Sequence, residues 1–105
     1  MSLRVTPDRL PARLDFPAED GRAPGWGKLD SLTPGSARLT TLAGLLRGQV
    51  VLLTFEVGGE RFRELPARVA GSEPDADGFC AADLDFTDQR ERRRLAKVLL
   101  DVLSR

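Results

Sequence analysis

The apolar residues of this chain change their spacing once, near residue 87, and that change constrains the fold more than any other feature. Upstream they alternate. Leu53, Phe55 and Val57 share one parity, and Cys80, Ala82, Leu84 and Phe86 share one again, the period-two signature of half-buried strands. Downstream, Leu95, Val98, Leu99, Val102 and Leu103 recur at intervals of three and four, the stripe of an amphipathic helix. Asp88 stands where an N-cap is needed, and Glu91 three residues later completes the pattern of a capping box. A helix over 88–104 behind a run of strands is therefore expected.

Turn signals divide the upstream part. Residues 19–25, with Gly21, Pro24 and Gly25, read as a turn, Pro34-Gly35 as another, and Gly44 and Gly48 bracket a loop or single helical turn. Gly58-Gly59 is a two-residue hairpin signal, because glycine supplies the positive φ of a type I′ turn. Strands are expected over 14–17, 26–32, 37–41, 50–57, 60–69 and 79–86, with 71–78 as a loop. In the fifth, Leu65, Ala67 and Val69 alternate inward but Phe62 is out of phase. Pro66 cannot donate to a ladder, so it belongs at an edge or beside a bulge that also absorbs the slip. Close succession and short turns favour an antiparallel sheet curled into a barrel. The fold class expected is mainly β: a small six-stranded antiparallel β-barrel with a C-terminal α-helix, in a single domain over 1–105. The barrel occupies 14–86, the helix 88–104, and the polar segment 1–13, with Pro7 and Pro11, forms a flexible arm.

Composition narrows the function. Sixteen basic residues balance sixteen acidic ones, which argues against a nucleic-acid polymer or an anionic membrane surface as partner. The chain has no histidine, so neither a Ser-His-Asp nor a Cys-His nucleophile nor an imidazole metal site can be built. An enzyme is not expected, nor a cofactor. The single cysteine, Cys80, excludes an internal disulfide and suits a reducing cytosol. No apolar run approaches the roughly 18 residues that would insert into a bilayer, and the start of the chain lacks the apolar core of a signal peptide. A cytoplasmic location is expected.

Two segments together carry a family resemblance. The first is Arg9-Leu10-Pro11-Ala12-Arg13, an R-x-x-x-R ahead of the opening strand. The second, residues 27–39, is a strand–turn–strand segment that can be aligned with a [DN]-x-S-x-x-G pattern. Together they resemble the PilZ domain, a small bacterial split barrel whose best-known ligand is cyclic di-GMP. The second motif fits in two registers. Asp30 and Gly35 keep the acid and the glycine but put Leu32 at the serine. Ser31, Thr33 and Ser36 are small and polar throughout, and this register is preferred because it leaves Pro34-Gly35 in the turn and faces Leu32 inward. There Ser31 loses the acid's charge, and Ser36 adds a Cβ where glycine lets a backbone approach closely.

The resemblance implies a non-enzymatic receptor. Arg9 and Arg13 would clamp cyclic di-GMP against the outer wall of the barrel, with Ser31, Thr33 and Ser36 shaping the opposite side. An arginine fork suits both a phosphate and the O6/N7 edge of guanine. The signal would pass to a protein partner. Because all three signature positions depart from the pattern, the competing implication is a PilZ-like protein–protein adaptor without nucleotide, of the kind used in motility, pilus or biofilm regulation. Three further features have two readings each. Trp26, counted in steps of two from Leu32, faces inward and covers a barrel end, or else it offers a stacking face to a base. The arginines at 90 and 92–94 form a solvated helix face or an anion site. Leu100 widens the helix's apolar stripe beside Leu99 and Leu103, for core packing or for a homodimer contact.

Overall fold

The computed structural model describes residues 3–105. Six antiparallel strands, β1 (Pro11–Asp15), β2 (Gly25–Leu32), β3 (Ser36–Thr41), β4 (Val50–Val57), β5 (Glu60–Pro74) and β6 (Cys80–Phe86), precede one helix, α1 (Gln89–Leu103). They close in the order β1-β2-β3-β6-β5-β4. The seam is the pairing of β1 with β4, with Leu14 opposite Leu53, so no strand edge is left open. Inward residues of every strand meet in one core, among them Leu14, Leu29, Leu39, Leu53, Phe62 and Leu84, all fully buried. This mainly β barrel with its C-terminal helix is the architecture the apolar spacing implies.

Three bulges interrupt the pleat, and each reverses strand parity. In β2, Leu29 faces Leu39 while Ser31 faces Arg38, so Asp30 is the extra residue and Leu29 and Leu32 both point inward. In β5, Leu65 faces Leu53 while Phe62 faces Phe55. The phase slip of Phe62 is thus absorbed by a bulge, at Arg63-Glu64 rather than beside Pro66. Glu64 takes φ 49°, and its amide donates to Thr54 Oγ1 at 3.1 Å, which replaces the lost ladder bond. Pro66 fits without one: its carbonyl accepts from Thr87 N at 3.2 Å, past the end of β6, so its nitrogen also faces the side where no strand partner remains. The third bulge, at Ala70, lets β5 run on to Pro74 opposite Cys80. Most of the loop expected over 71–78 is therefore strand, because β6 supplies partners that local composition does not reveal.

The start of the barrel also differs from the expected division. Pro11, Ala12 and Arg13 already belong to β1, with Ala12 fully buried, so the arm ahead of the barrel is shorter than 1–13. The loop containing Gly44 and Gly48 carries Leu45 into the core and is held against β5 by Gly48 N to Val69 O at 2.7 Å.

Helix α1 covers the hairpin joining β4 and β5. Leu95 and Leu99 enter the core, whereas Leu100 and Leu103 are exposed. Arg94 leaves the solvated face: its guanidinium lies 4.2 Å from the centre of the Phe62 ring and donates to Arg61 O at 2.7 Å and to Glu91 at 3.0 Å. Desolvation works to lower the Arg94 pKa, and the hydrogen bonds and charges of Glu91 and Glu60 outweigh it, so the group sits above its ordinary value and stays cationic. Asp88 caps the helix, accepting from Arg90 N at 3.0 Å and Glu91 N at 3.2 Å. The reciprocal half of the capping box does not form, since the Glu91 carboxylate is held by Arg94 instead. Asp88→Ala is accordingly expected to lower stability by about 1 kcal/mol, read as a shift of the urea midpoint with an unchanged slope.

Candidate functional site

The N-terminal segment does not wander from the barrel. Val5 exchanges both backbone hydrogen bonds with Leu32, each at 2.9 Å, and Leu10 O accepts from Leu29 N at 2.8 Å. Between these tethers, residues 6–9 face only the two bulged residues of β2, Asp30 and Ser31. The surplus length arches outward, and Arg9 is exposed on that arch. Among the described residues Arg9 makes no salt bridge.

Arg13 sits differently. It lies within β1, opposite Trp26 on one side and Thr54 on the other, with its side chain outward and its Nε 3.3 Å from Asp15. Arg13, Trp26 and Arg61 line a shallow groove of about 370 Å³ on the barrel's outer wall. The two arginines of the motif are thus on the same wall, one on an arch and one in the wall itself. The β1 and β2 register places Pro11 against Lys28 between them.

The bend between β2 and β3 is built by the hydroxyls assigned to the second motif. Thr33 Oγ1 accepts from Ser36 N at 3.0 Å and from Gly35 N at 3.3 Å, and lies 2.8 Å from Ser36 Oγ. A hydroxyl has two lone pairs. The Thr33 hydroxyl also donates to Ser36 O at 3.3 Å, and in the Thr33–Ser36 hydroxyl pair either oxygen can be the donor, so both side chains are engaged within the turn. Ser36 opens β3, and the backbone bond Thr33 N to Ser36 O at 2.8 Å closes the turn. Ser31 sits across from Arg38, which is paired with Asp83 at 2.9 Å. Ser31 and the turn therefore lie at the end of β2 toward which the arm leads, and Val5 reaches Leu32 at the edge of the bend.

Three residues near this wall escape a reading by motif. Trp26 points outward, not into a barrel end, because the Asp30 bulge reverses the parity counted from Leu32; it is 64% exposed. Arg61 is brought to the same groove by the β4–β5 hairpin. Arg92, from the first turns of α1, lays its guanidinium over Gly35, where a Cβ would fall 2.5 Å from its Nη2. Of the helix arginines, one is thus packed on Phe62 and one on the bend. Only the placement of Trp26 between Gly25 and Gly27 carried a local signal. Gly27 faces inward, where a Cβ would come 2.7 Å from Leu39 Cδ1.

No family model and no curated protein sequence matches the chain. Solved structures do match its shape. The PilZ domain of CeSA, from a cellulose-synthesising bacterium, superposes over 94% of this chain and 96% of its own with a TM-score of 0.63 at 18% identity. The chain has the fold of a PilZ domain. YcgR of Escherichia coli, in its complex with c-di-GMP, matches over 96% of the chain with a TM-score of 0.73 at 12% identity, and the Bacillus subtilis inhibitor of motility MotI/DgrA over 98% with 0.72 at 13%. The chain spans 44% of the YcgR chain and 50% of the MotI/DgrA chain, about half of each. At these identities the likeness is one of fold. Among the described residues, no helix is long and apolar enough to cross a membrane.

Proposed function

We propose that this PilZ-like domain is a receptor for cyclic di-GMP, which it binds on the outer wall formed by β1, β2 and the bend, without catalysis. One observation carries the reading: the N-terminal segment is tethered along β2 by Val5 and Leu10, which holds the Arg9 arch against the Asp30–Ser31 bulge on the same wall as Arg13. In this reading Arg9 and Arg13 supply the guanidinium forks, for a guanine edge or a phosphate. Ser31, Thr33 and Ser36 shape the opposite side of the site at the bend. YcgR, a match of the same fold, is known in complex with c-di-GMP. Part of the interaction energy is spent fixing the exposed arginine side chains on the ligand, and the change this makes to the wall is what a protein partner reads.

Isothermal titration with cyclic di-GMP tests it. Saturable binding is expected, and each of Arg9→Ala and Arg13→Ala weakens it by roughly tenfold or more, as loss of one bidentate contact does. Absence of heat up to ligand concentrations on the order of tens of micromolar ends the reading.

The engagement of Thr33 and Ser36 in their own turn favours a second reading, a PilZ-like adaptor that binds a protein and no nucleotide. A partner captured equally well with and without cyclic di-GMP, by a protein that gives no heat with it, supports this one.

A further inference from the structure

The side chain of Trp26 has no part in the core. Its indole is exposed on the outer wall, while its backbone is fixed on both sides. Its carbonyl accepts from Thr41 Oγ1 at 2.7 Å, and its Cα lies across from that of Arg13. Neither chain neighbour carries a side chain that could cover it, since both are glycines. Two grooves meet at this residue. On the β1 side Arg13 and Arg61 outnumber Glu56 in the lining, with Arg61 3.9 Å from Glu56 and Arg13 3.3 Å from Asp15, and on the β3 side Lys28, Thr40, Leu42 and Phe79 line a mostly apolar groove of about 390 Å³. Leu42 is 71% and Phe79 38% exposed, so apolar surface continues outward from the indole. Exposed aromatic surface grouped in this way marks a contact site.

The chemistry of the occupant follows from what surrounds the ring. A flat π-system needs a face to stack on and donors at its edge, and the wall offers both side by side: an indole face from β2 and a guanidinium fork from the paired position of β1. A purine lying on Trp26 would turn its O6/N7 edge to Arg13, and the phosphates would follow Lys28 and the arch carrying Arg9. We infer that Trp26 is the stacking platform for one guanine of the bound dinucleotide, an inference that rests on the nucleotide reading above. Trp26 then acts as a binding residue that favours a ligand with an aromatic face over a bare phosphate diester. Stacking of this kind is insensitive to the details of the base, so Arg13 supplies the choice of guanine and Trp26 the affinity.

The test is direct because Trp26 is the only tryptophan and the chain has no tyrosine, so its emission reports this one position. Cyclic di-GMP is expected to quench that emission with the same midpoint as the calorimetric titration. Trp26→Ala should weaken calorimetric binding by roughly tenfold or more, with circular dichroism unchanged since only an exposed ring is lost, and Trp26→Phe should fall between. If the intact protein binds while its emission stays constant and Trp26→Ala binds within about twofold of it, the stacking role is overturned and the nucleotide reading stands. If the intact protein gives neither heat nor quenching, both are overturned together.

Discussion

Phe62→Ala is expected to cost about 4 kcal/mol of folding free energy, within the usual range for a buried phenylalanine. In a domain whose whole stability is on the order of 5–15 kcal/mol, that is a large share. Phe62 is fully buried, stacks on Phe55 with ring centres 5.3 Å apart, and lies under the Arg94 guanidinium at 4.2 Å. Removing the ring therefore loses apolar burial, an aromatic pair and the cation–π contact together, the last two adding about 1 kcal/mol each at most sites. It also removes the surface on which α1 rests its first turns. Urea unfolding followed by circular dichroism should show the midpoint fall steeply, and Phe62→Leu should recover much of it by refilling the volume. A loss below about 1 kcal/mol would mean that the core closes around the gap and that Phe62 is not the keystone this packing implies.

The same residue shows why some of the fold was legible in the chain and some was not. The helix was legible because its stripe is long and unbroken, and the Gly58-Gly59 hairpin because both residues take positive φ, 60° and 80°. Strand interiors were legible only between bulges. A bulge adds one residue and reverses which side faces the core, and nothing local need mark it. Phe62 marks the bulge in β5 by falling out of phase, but proline is the visible irregularity nearby and points to an edge or a bulge at Pro66, whereas it is Glu64 that adopts the unusual φ. The bulge at Asp30 left no such trace. Counting through it faces Trp26 inward over a barrel end and leaves its other reading, an exposed stacking face, without support from parity. The strand character of Gly71–Pro74 is wholly a tertiary matter, because a polar segment with glycine and proline becomes strand when β6 lies beside it.

For the candidate site, spacing carried the residue types and folding decided their setting. R-x-x-x-R locates two arginines, yet places both ahead of the barrel, whereas Arg13 is part of its wall because Ala12 and Leu14 on either side must be buried. Ser31, Thr33 and Ser36 are legible as small polar positions of a strand–turn–strand segment. Their positions relative to the bend follow from the Pro34-Gly35 turn, but the closure of Thr33 on Ser36 depends on backbone geometry that no spacing rule encodes. Arg61 and Arg92 reach the wall and the bend across long sequence separations, and in a chain this rich in arginine no pattern distinguishes them.

The joint between helix and barrel is best measured by a pair of glycines. Gly58 and Gly59 occupy successive positions of one turn and both have positive φ, so alanine at either incurs the backbone penalty of the left-handed region, about 1–2 kcal/mol. They differ in what lies beyond. A Cβ on Gly59 meets nothing within 4 Å, whereas one on Gly58 would fall 2.9 Å from Val98 Cγ1 and 2.9 Å from Val102 Cγ2 on α1. Gly59→Ala should therefore cost the backbone term alone, and Gly58→Ala should add an overpacking cost of about 1–3 kcal/mol, read as the difference between their urea midpoints. Because the second cost arises at the helix, Val98→Ala in the Gly58→Ala background should return part of it, while the same change in the Gly59→Ala background should only destabilise further. Equal losses from the two glycines would show that α1 does not press on the hairpin. A larger loss at Gly58 with rescue by Val98→Ala would show that it does. In that case the helix is fixed at the hairpin by Gly58, at Phe62 by Arg94 and at the bend by Arg92, so any ligand that moves the bend acts on the helix as well.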